Sequence, residues 1–429
     1  MLVVALFISF FGLIFLEVPI AIALTLSALF VGFLADIPPI MVVQNMFSGI
    51  DSYVLLAIPL FMLSGDIMET GSITERLVSF SRSMVGHFRG SLGQVTIFAN
   101  LIMAGISGSG AADAAALGSV LIPAMKKEGY SADMAVAINA SAATMGPIIP
   151  PSILMILFGA YGGVSVAALF LGGAIPGVII CITLMIVVYL WATKTNFPVS
   201  PKSSFLERVS RTKESIWALL VPFIIVSGIV GGVFTPTESA MIAAVYSIIV
   251  SAFIYRSFNL KKLIMVLRKS AQSIANPMFT LAGAGAFGYI MAYLQVPEMV
   301  VQLAGGIAGK PIPTLLFITA LFIILGTFMD STPALVIFTP IVLTLSKAAA
   351  LDLVHVGVLV TVVLCFGFLT PPYGITLLIS AGIGGVPVMG VIKDLIPFYI
   401  VMLIIIAAMI FFPELVLFLP KLFVPSAFH

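Results

Sequence analysis

The length of its uncharged apolar runs is the feature that most constrains the fold of this chain. Runs such as 216–234 and 396–412 contain no Asp, Glu, Lys or Arg. A helix of roughly 20 apolar residues crosses the hydrocarbon core of a bilayer, which is about 30 Å thick. Because only 8% of the 429 residues are charged and 61% are apolar, such runs occupy most of the chain. We therefore predict an all-α polytopic membrane protein in a lipid bilayer, and the composition excludes a soluble enzyme.

The positions of the basic residues predict which loops face the cytoplasm. Most of the 19 Lys and Arg residues fall into four clusters, at 76–89, 126–127, 194–213 and 256–269. Loops rich in Lys and Arg tend to stay on the cytoplasmic side. The stretches 35–50 and 292–313, with Lys310 as their single basic residue, are expected on the outer side. The net charge of +2 indicates no nucleic-acid partner.

The chain contains an internal repeat. Segment 105–176 matches segment 326–397 at a constant offset of 221 residues (109 to 330), which pairs Pro150-Pro151 with Pro371-Pro372. Further upstream, Pro59-Leu60-Phe61 matches Pro277-Met278-Phe279. The basic segment 76–89 corresponds to the charge-poor segment 295–312, so equivalent segments are predicted on opposite sides of the membrane. This pattern predicts an inverted-topology repeat, which is typical of secondary transporters.

The repeat and the charge clusters together predict the organisation of the chain. The first repeat spans 1–200, with scaffold helices in 1–70, an arm in 71–90, and a hairpin and a broken helix in 91–192. A cytoplasmic basic linker follows at 201–214. The second repeat spans 215–429, with scaffold helices in 215–294, an arm in 295–311, and a hairpin and a broken helix in 312–412.

Each half contains a predicted re-entrant hairpin and a predicted broken helix. The hairpins have small, polar tips at 107–110 and 327–333, and the helices are interrupted by Pro-Pro segments at 146–151 and 367–372. Proline frees a backbone carbonyl, which a membrane protein tolerates only where the backbone lines a protein-enclosed or wet cavity. Helix N-termini at such breaks favour an anion, and freed carbonyls are ligands for a hard cation. We therefore predict a binding site for an anionic substrate together with sodium.

Five motifs carry a resemblance to a known family: IPLFMLSG at 58–65, SGSGAAD at 107–113, NASAATMGPIIPPS at 139–152, FTPTESA at 234–240 and GTFMDSTP at 326–333. In this order they resemble the large membrane subunit of tripartite ATP-independent periplasmic (TRAP) transporters of the dicarboxylate and sialic-acid type, over essentially the whole chain. The resemblance implies an elevator-type transporter of the bacterial inner membrane, coupled to two or more Na⁺ ions and without an organic cofactor. It also implies two partners, a small four-helix TRAP membrane subunit, expected as a separate chain, and a periplasmic substrate-binding protein.

The resemblance also assigns candidate site residues. The candidate sodium ligands are Ser107, Ser109, Asp113, Asn139, Thr144 and Gly146 around the first tip, and Thr327, Asp330, Ser331, Thr332, Gly367 and Thr370 around the second. The candidate substrate-binding residues are Ser107, Gly108, Ser109, Gly110, Pro147, Asp330, Ser331 and Pro371. A structural alternative stays open, in which Ser109 and Thr332 cap the following helices and Asp113 only stabilises a first turn. The tips contain no arginine, so the substrate, sialic acid or a C4-dicarboxylate, follows from the resemblance alone.

Three other functions remain to be weighed. A proton-coupled carboxylate transporter would share the architecture without sodium, and a channel would need a continuous pore. An intramembrane protease is the third, because Gly105-Ile106-Ser107-Gly108 fits a Gly-x-Ser-Gly pattern, whereas Asp113 and Asp330 lack the Gly-x-Gly-Asp setting of a diacid protease. The three histidines, His87, His355 and His429, offer no evident general base for such a serine.

Overall fold

The computed structural model describes residues 1–71, 73–195, 201–307 and 309–428. Within these residues the chain forms twenty α-helices, short 3₁₀ and π turns, and no strand. In the first half the helices are α1 (Leu2–Phe15), α2 (Ile20–Leu34), α3 (Pro39–Ser48), α4 (Ala57–Thr70), α5 (Ile73–Val85), α6 (Ser91–Ser107), α7 (Gly110–Lys127), α8 (Ala132–Ala143), α9 (Ile153–Gly162) and α10 (Val166–Thr195). In the second half they are α11 (Phe205–Val230), α12 (Pro236–Ile249), α13 (Leu260–Tyr293), α14 (Val296–Ala304), α15 (Pro311–Phe328), α16 (Ser331–Ala348), α17 (Leu353–Gly367), α18 (Ile375–Gly384), α19 (Val388–Phe411) and α20 (Glu414–Phe423).

The helices are apolar enough for a multi-pass membrane protein. Six described helices have the length and composition of membrane spans, and eight spans result if each of two bent helix pairs counts as one. The bent pairs join α4 to α5 at 74° and α13 to α14 at 62°, where the sequence predicts the two arms. The prediction of an all-α polytopic membrane fold is confirmed. The segment predicted as a linker, 201–214, is helical from Phe205 onward, since Ser204 Oγ caps α11 by accepting from the Glu207 N–H at 3.2 Å.

The two hairpins and two broken helices recur in the same order in both halves. Helices α6 and α7 form the first hairpin and α15 and α16 the second, while α8 and α9 are the parts of the first broken helix and α17 and α18 those of the second. Both Pro-Pro bonds, Pro150-Pro151 and Pro371-Pro372, are cis. The second tip is shorter than predicted: the helices extend to Phe328 and from Ser331, so only Met329 and Asp330 remain between them.

The broken helices form the centre of the molecule. Every residue of α8 from Met134 to Ala143 and every residue of α17 from Val354 to Gly367 is buried. Because no residue of these two stretches is exposed, α8 and α17 belong to the interior of the protein. Helices α7 and α18 both pack on α8, so elements of the two halves interlock around one core.

A second group of helices lies beside this core. Helix α13 packs along α2, α3 and α4, and α12 packs on α4. The two groups are in contact at Gly65 of α4, where an added Cβ atom would lie 3.5 Å from Ser107 Cα, an ordinary contact distance. Helix α4 therefore runs directly past the first hairpin tip.

Candidate functional site

The first tip, residues Gly108 and Ser109 between α6 and α7, is held by its own polar groups. Gly108 has φ of +63°, and a Cβ atom there would lie 2.6 Å from the Pro151 carbonyl oxygen, so only glycine fits without displacement. Ser109 Oγ accepts from the Ala112 N–H at 3.4 Å and caps α7. The capping role predicted as an alternative for Ser109 is confirmed, and the carbonyl of that residue accepts from the Asp113 N–H at 3.1 Å in the first turn of α7.

Asp113 lies in the first turn of α7 and is fully buried. Ser107 Oγ donates to Asp113 Oδ1 at 2.6 Å, whereas Oδ2 has no hydrogen-bond partner. A Cβ atom added at Gly146 would lie 2.8 Å from Oδ2 and 2.6 Å from the Gly110 nitrogen. The first unwound segment, residues 146–151 between α8 and α9, thus touches the first tip. Asp113 Oδ2, which is buried without a hydrogen-bond partner, lies at this contact. Such an oxygen is costly to bury unless a donor or a cation satisfies it.

Asn139 and Thr144 come from α8 and the turn after it. Asn139 Nδ2 donates to the Ala114 carbonyl at 3.1 Å and to Ser380 Oγ at 2.9 Å, which ties the first hairpin to α18 of the other half. The buried Asn139 Oδ1 has no hydrogen-bond partner. Thr144 Oγ1 donates to the Ser141 carbonyl at 2.7 Å and so closes the end of α8. Of the predicted first group, Ser107, Ser109, Asp113 and Gly146 meet at the tip, whereas Asn139 lies further along α7, beside Ala114 and Gly118.

The second tip is built differently from the first. Asp330 Oδ1 accepts from the Thr332 N–H at 3.2 Å and caps α16. The alternative prediction that Thr332 is the cap is wrong, because α16 begins at Ser331 and Thr332 already lies inside the helix. Asp113 and Asp330 thus both lie at the start of the second helix of their hairpin, α7 and α16, where the helix dipole stabilises negative charge.

The second unwound segment, which starts at residue 367 at the end of α17, contacts the second hairpin through backbone atoms. A Cβ atom at Gly367 would lie 2.6 Å from the Gly326 carbonyl oxygen, so α15 and α17 approach at two glycines. Thr327 Oγ1 donates to the Ile323 carbonyl, while the Thr327 carbonyl accepts from the Tyr373 N–H at 3.1 Å. The Gly367 carbonyl accepts from the Thr370 N–H at 3.0 Å, and each of these carbonyls keeps a second lone pair.

A cavity of about 220 Å³ lies where the two tips meet the neighbouring helices. One wall consists of both tips and residues of the unwound segments, and the opposite wall consists of apolar residues from α4 and α13. The predicted substrate residues that line it are Gly108, Ser109, Gly110, Pro147, Asp330 and Ser331. Phe368 lines it from the second unwound segment, whereas Pro371 lies outside the lining.

The apolar wall is the part of the site that the sequence prediction missed. It is formed by Ile58 and Met62 of α4 and by Pro277, Met278 and Leu281 of α13. Ile58, Met62 and Leu281 lie beside the matching motifs Pro59-Leu60-Phe61 and Pro277-Met278-Phe279, and the other two wall residues belong to the second motif. That repeated motif was the signal in the sequence, but apolar side chains on a membrane helix look the same whether they face lipid or a cavity.

A second cavity of about 300 Å³ adjoins the first and shares Met62, Ser109 and Ala111 with it. Ser107, the last residue of α6, lines this second cavity rather than the first. Its remaining polar lining comes from α4 and α13 and consists of Asp66, Glu69, Lys269 and Ser273. The two cavities lie side by side along the boundary between the hairpins and helices α4 and α13.

Comparison with known proteins decides the family. The chain matches the family described as "Tripartite ATP-independent periplasmic transporter, DctM component" over residues 7–415. It belongs to the DctM family of TRAP transporters. The sialic acid TRAP transporter large permease protein SiaM of Vibrio cholerae is 36% identical over 413 residues, covering 96% of this chain and 97% of SiaM. The C4-dicarboxylate TRAP transporter large permease protein DctM of the same organism is 34% identical over 444 residues, with 98% of each chain covered.

The fold also has a solved counterpart. The crystal structure of the Alcanivorax borkumensis YdaH transporter matches with a TM-score of 0.62 at 14% identity and covers 86% of each chain. Membership of the DctM family confirms the predicted resemblance and the location as a multi-pass protein of the bacterial inner membrane. As a DctM protein the chain is a transporter subunit and not an enzyme. In keeping with this, the Ser107 hydroxyl of the Gly-x-Ser-Gly pattern bonds to Asp113 and not to a histidine.

Proposed function

We propose that this DctM protein is the large permease of a sodium-driven importer of an organic acid, such as sialic acid or a C4-dicarboxylate. The observation that carries the proposal is the convergence of four helix N-termini on one cavity. The first residues of α7, α9, α16 and α18 all line it: Gly110, Ile153, Ser331 and Ile375. Helix N-termini carry partial positive charge and free N–H donors, which suit a carboxylate without any arginine.

The substrate class is supported by the relatives. SiaM and DctM of Vibrio cholerae are named for sialic acid and for C4-dicarboxylates, and both substrates are carboxylates. The apolar wall of α4 and α13 would contact the carbon skeleton, while the N-termini at the tips would bind the carboxylate. Because the relatives differ in substrate, family membership supports a substrate that carries a carboxylate but does not identify one particular acid.

Sodium coupling is supported by two buried oxygen atoms without hydrogen-bond partners and by backbone carbonyls that each keep a lone pair. Asp113 Oδ2 lies at the first tip and Asn139 Oδ1 further along α7, while the carbonyls of Thr327, Gly367 and Thr370 each accept one hydrogen bond in the second hairpin and after α17. Carboxylate, amide and carbonyl oxygens suit a hard alkali ion, and the described residues contain no cluster of three or more His, Cys, Asp and Glu that would indicate a transition metal. We assign two or more Na⁺ ions to these sites, and a proton-coupled carrier is the alternative.

An elevator mechanism with two partners completes the proposal. The hairpins and broken helices would move as one body past helices α4 and α13, with the arms α5 and α14 absorbing the movement at the bends of 74° and 62°. The inverted repeat, with the boundaries predicted from the sequence, would supply the inward- and outward-facing arrangements. A small four-helix membrane subunit would support the scaffold, and a periplasmic binding protein would deliver the substrate.

Reconstitution tests the proposal. The protein, its small subunit and its binding protein are placed in proteoliposomes, and uptake of sialic acid and of succinate is measured with a sodium gradient or a pH gradient. We expect uptake of a carboxylate that requires the inward sodium gradient. Equal uptake driven by a pH gradient in sodium-free buffer would assign the proton-coupled function instead.

A further inference from the structure

The second cavity contains a charged cluster that the proposed function does not use. Lys269 Nζ of α13 lies 3.1 Å from Glu69 Oε2 and 3.7 Å from Asp66 Oδ1, both on α4. Ser270 Oγ donates to the second oxygen of Asp66 at 2.5 Å. Among the described residues that line the two cavities, Lys269 is the single cation.

The cluster lies between the first cavity and the cytoplasm. The second cavity adjoins the first, since Met62, Ser109 and Ala111 line both. Glu69 lies one residue before the end of α4, which leads into the basic helix α5, and Lys269 ends the basic segment 256–269. Because basic segments mark the cytoplasmic side, a solute that leaves the first cavity inward passes Lys269.

The cluster is present on one side of the membrane only. The upstream repeat, at an offset of 218 residues (59 to 277), places Asp51 at the position equivalent to Lys269. It places Ala284 and Phe287 at the positions equivalent to Asp66 and Glu69. The cluster is therefore confined to the inner side, as expected where only the cytoplasmic side carries basic residues, and a solute can meet it only on the cytoplasmic part of its path.

The lysine is free to exchange partners. Its side chain is 51% exposed, against 15% for Asp66 and 32% for Glu69. Half-exposed ion pairs contribute little net stability, because solvent screens them and two long side chains must be ordered. An ammonium group has three donors, so it can bind an incoming carboxylate while it loses one of its own.

We propose that Lys269 binds the carboxylate of the substrate on its way to the cytoplasm, and that Asp66 and Glu69 compete for the same ammonium so that this contact is brief. This inference rests on the proposed function, since it requires that the transported solute is a carboxylate. Removing the lysine would weaken the binding of substrate at the inner mouth. Removing the two competing carboxylates would strengthen it.

The test measures inhibition by substrate inside the vesicle. Proteoliposomes contain the permease with its small subunit, and the binding protein is added outside, so only molecules with the periplasmic side outward contribute. Initial uptake of labelled sialic acid or succinate, whichever the wild type carries, is measured against the unlabelled compound inside. Lys269→Gln should raise the internal concentration that halves uptake by about twofold to fivefold, the range of a half-exposed charge pair, and Asp66→Asn with Glu69→Gln should lower it by a similar factor.

The opposite signs separate this proposal from a structural ion pair, whose loss would change both variants in the same direction. Arg268→Gln is the matched control, because Arg268 is the exposed neighbour of Lys269 and lines neither cavity; it should behave as wild type. Lys269→Arg keeps the charge and should also behave as wild type, which covers the case that Lys269→Gln does not fold. If the internal concentration that halves uptake shifts in the same direction in both variants, or does not shift, the inference is overturned. A wild type that transports no carboxylate would overturn the proposed function itself.

Discussion

Gly146 is one of the residues at which the first tip and the first unwound segment are in tight contact. An alanine Cβ there would lie 2.6 Å from the Gly110 nitrogen and 2.8 Å from both Asp113 Oδ2 and the Ser109 carbonyl carbon. Gly146→Ala should therefore push the tip away from the segment and reduce sodium-dependent uptake by at least about tenfold, with a stability loss of about 1–3 kcal/mol from overpacking. Gly382→Ala is the control, because no atom lies within 4 Å of the added methyl group; it should transport normally. Wild-type sodium activation in Gly146→Ala would show that this contact is not part of the sodium site.

Asp330 combines a structural and a proposed functional role, which two substitutions can separate. Its side chain caps α16, and asparagine caps a helix as well as aspartate does while alanine does not. Asp330→Asn should keep thermal stability near wild type but lose sodium activation, because the carboxylate charge is gone. Asp330→Ala should in addition lower the stability by about 1 kcal/mol, measured by thermal unfolding in detergent. Normal sodium activation in Asp330→Asn would leave Asp330 as a cap alone.

The ends of single helices were predictable from the sequence where clusters of helix-breaking residues mark them. Glycine, proline and serine clusters locate both hairpins and both broken helices, because each break needs residues that free or redirect the backbone. The sequence did not locate the end of the second tip, since Thr327, Ser331 and Thr332 suit both a polar tip and a helix terminus. Nor did it reveal the wall at Ile58 and Met278, because burial against another helix leaves no trace in an apolar run.

One contact between elements of the two repeats can be tested directly. Lys126 Nζ, near the end of α7, donates to the Gly384 carbonyl at the end of α18 at 3.0 Å. A cation at a helix C-terminus stabilises it, since the last carbonyls there lack partners. Lys126→Met should lower stability by about 0.5–1.5 kcal/mol, seen as a lower thermal unfolding midpoint. Lys127→Met removes the exposed neighbouring charge and should leave the midpoint unchanged; equal effects of the two changes would argue against the cap.

The whole molecule combines a repeated set of hairpins with an uneven distribution of charge. The hairpins and broken helices match between the halves, whereas the basic segments and the cluster at Lys269 do not. In an inverted repeat this combination is consistent, because equivalent helices lie on opposite sides and only one side carries the cytoplasmic charge. The order of the helices follows from the sequence pattern, and the charges predict which side of the membrane each loop faces, which a direct measurement can test.

Cysteine labelling from the two sides of the membrane provides that measurement. Both native cysteines, Cys181 and Cys365, are buried, so a membrane-impermeant maleimide should react with them slowly. Ser48→Cys, at the exposed end of α3, should label from the periplasmic side of intact cells. Ser203→Cys, just before the basic start of α11, should label only after the cytoplasmic face is opened, because the surrounding Lys and Arg residues keep this segment inside. Labelling of both positions from one side would refute the inverted repeat, and with it the elevator arrangement that depends on two oppositely oriented halves.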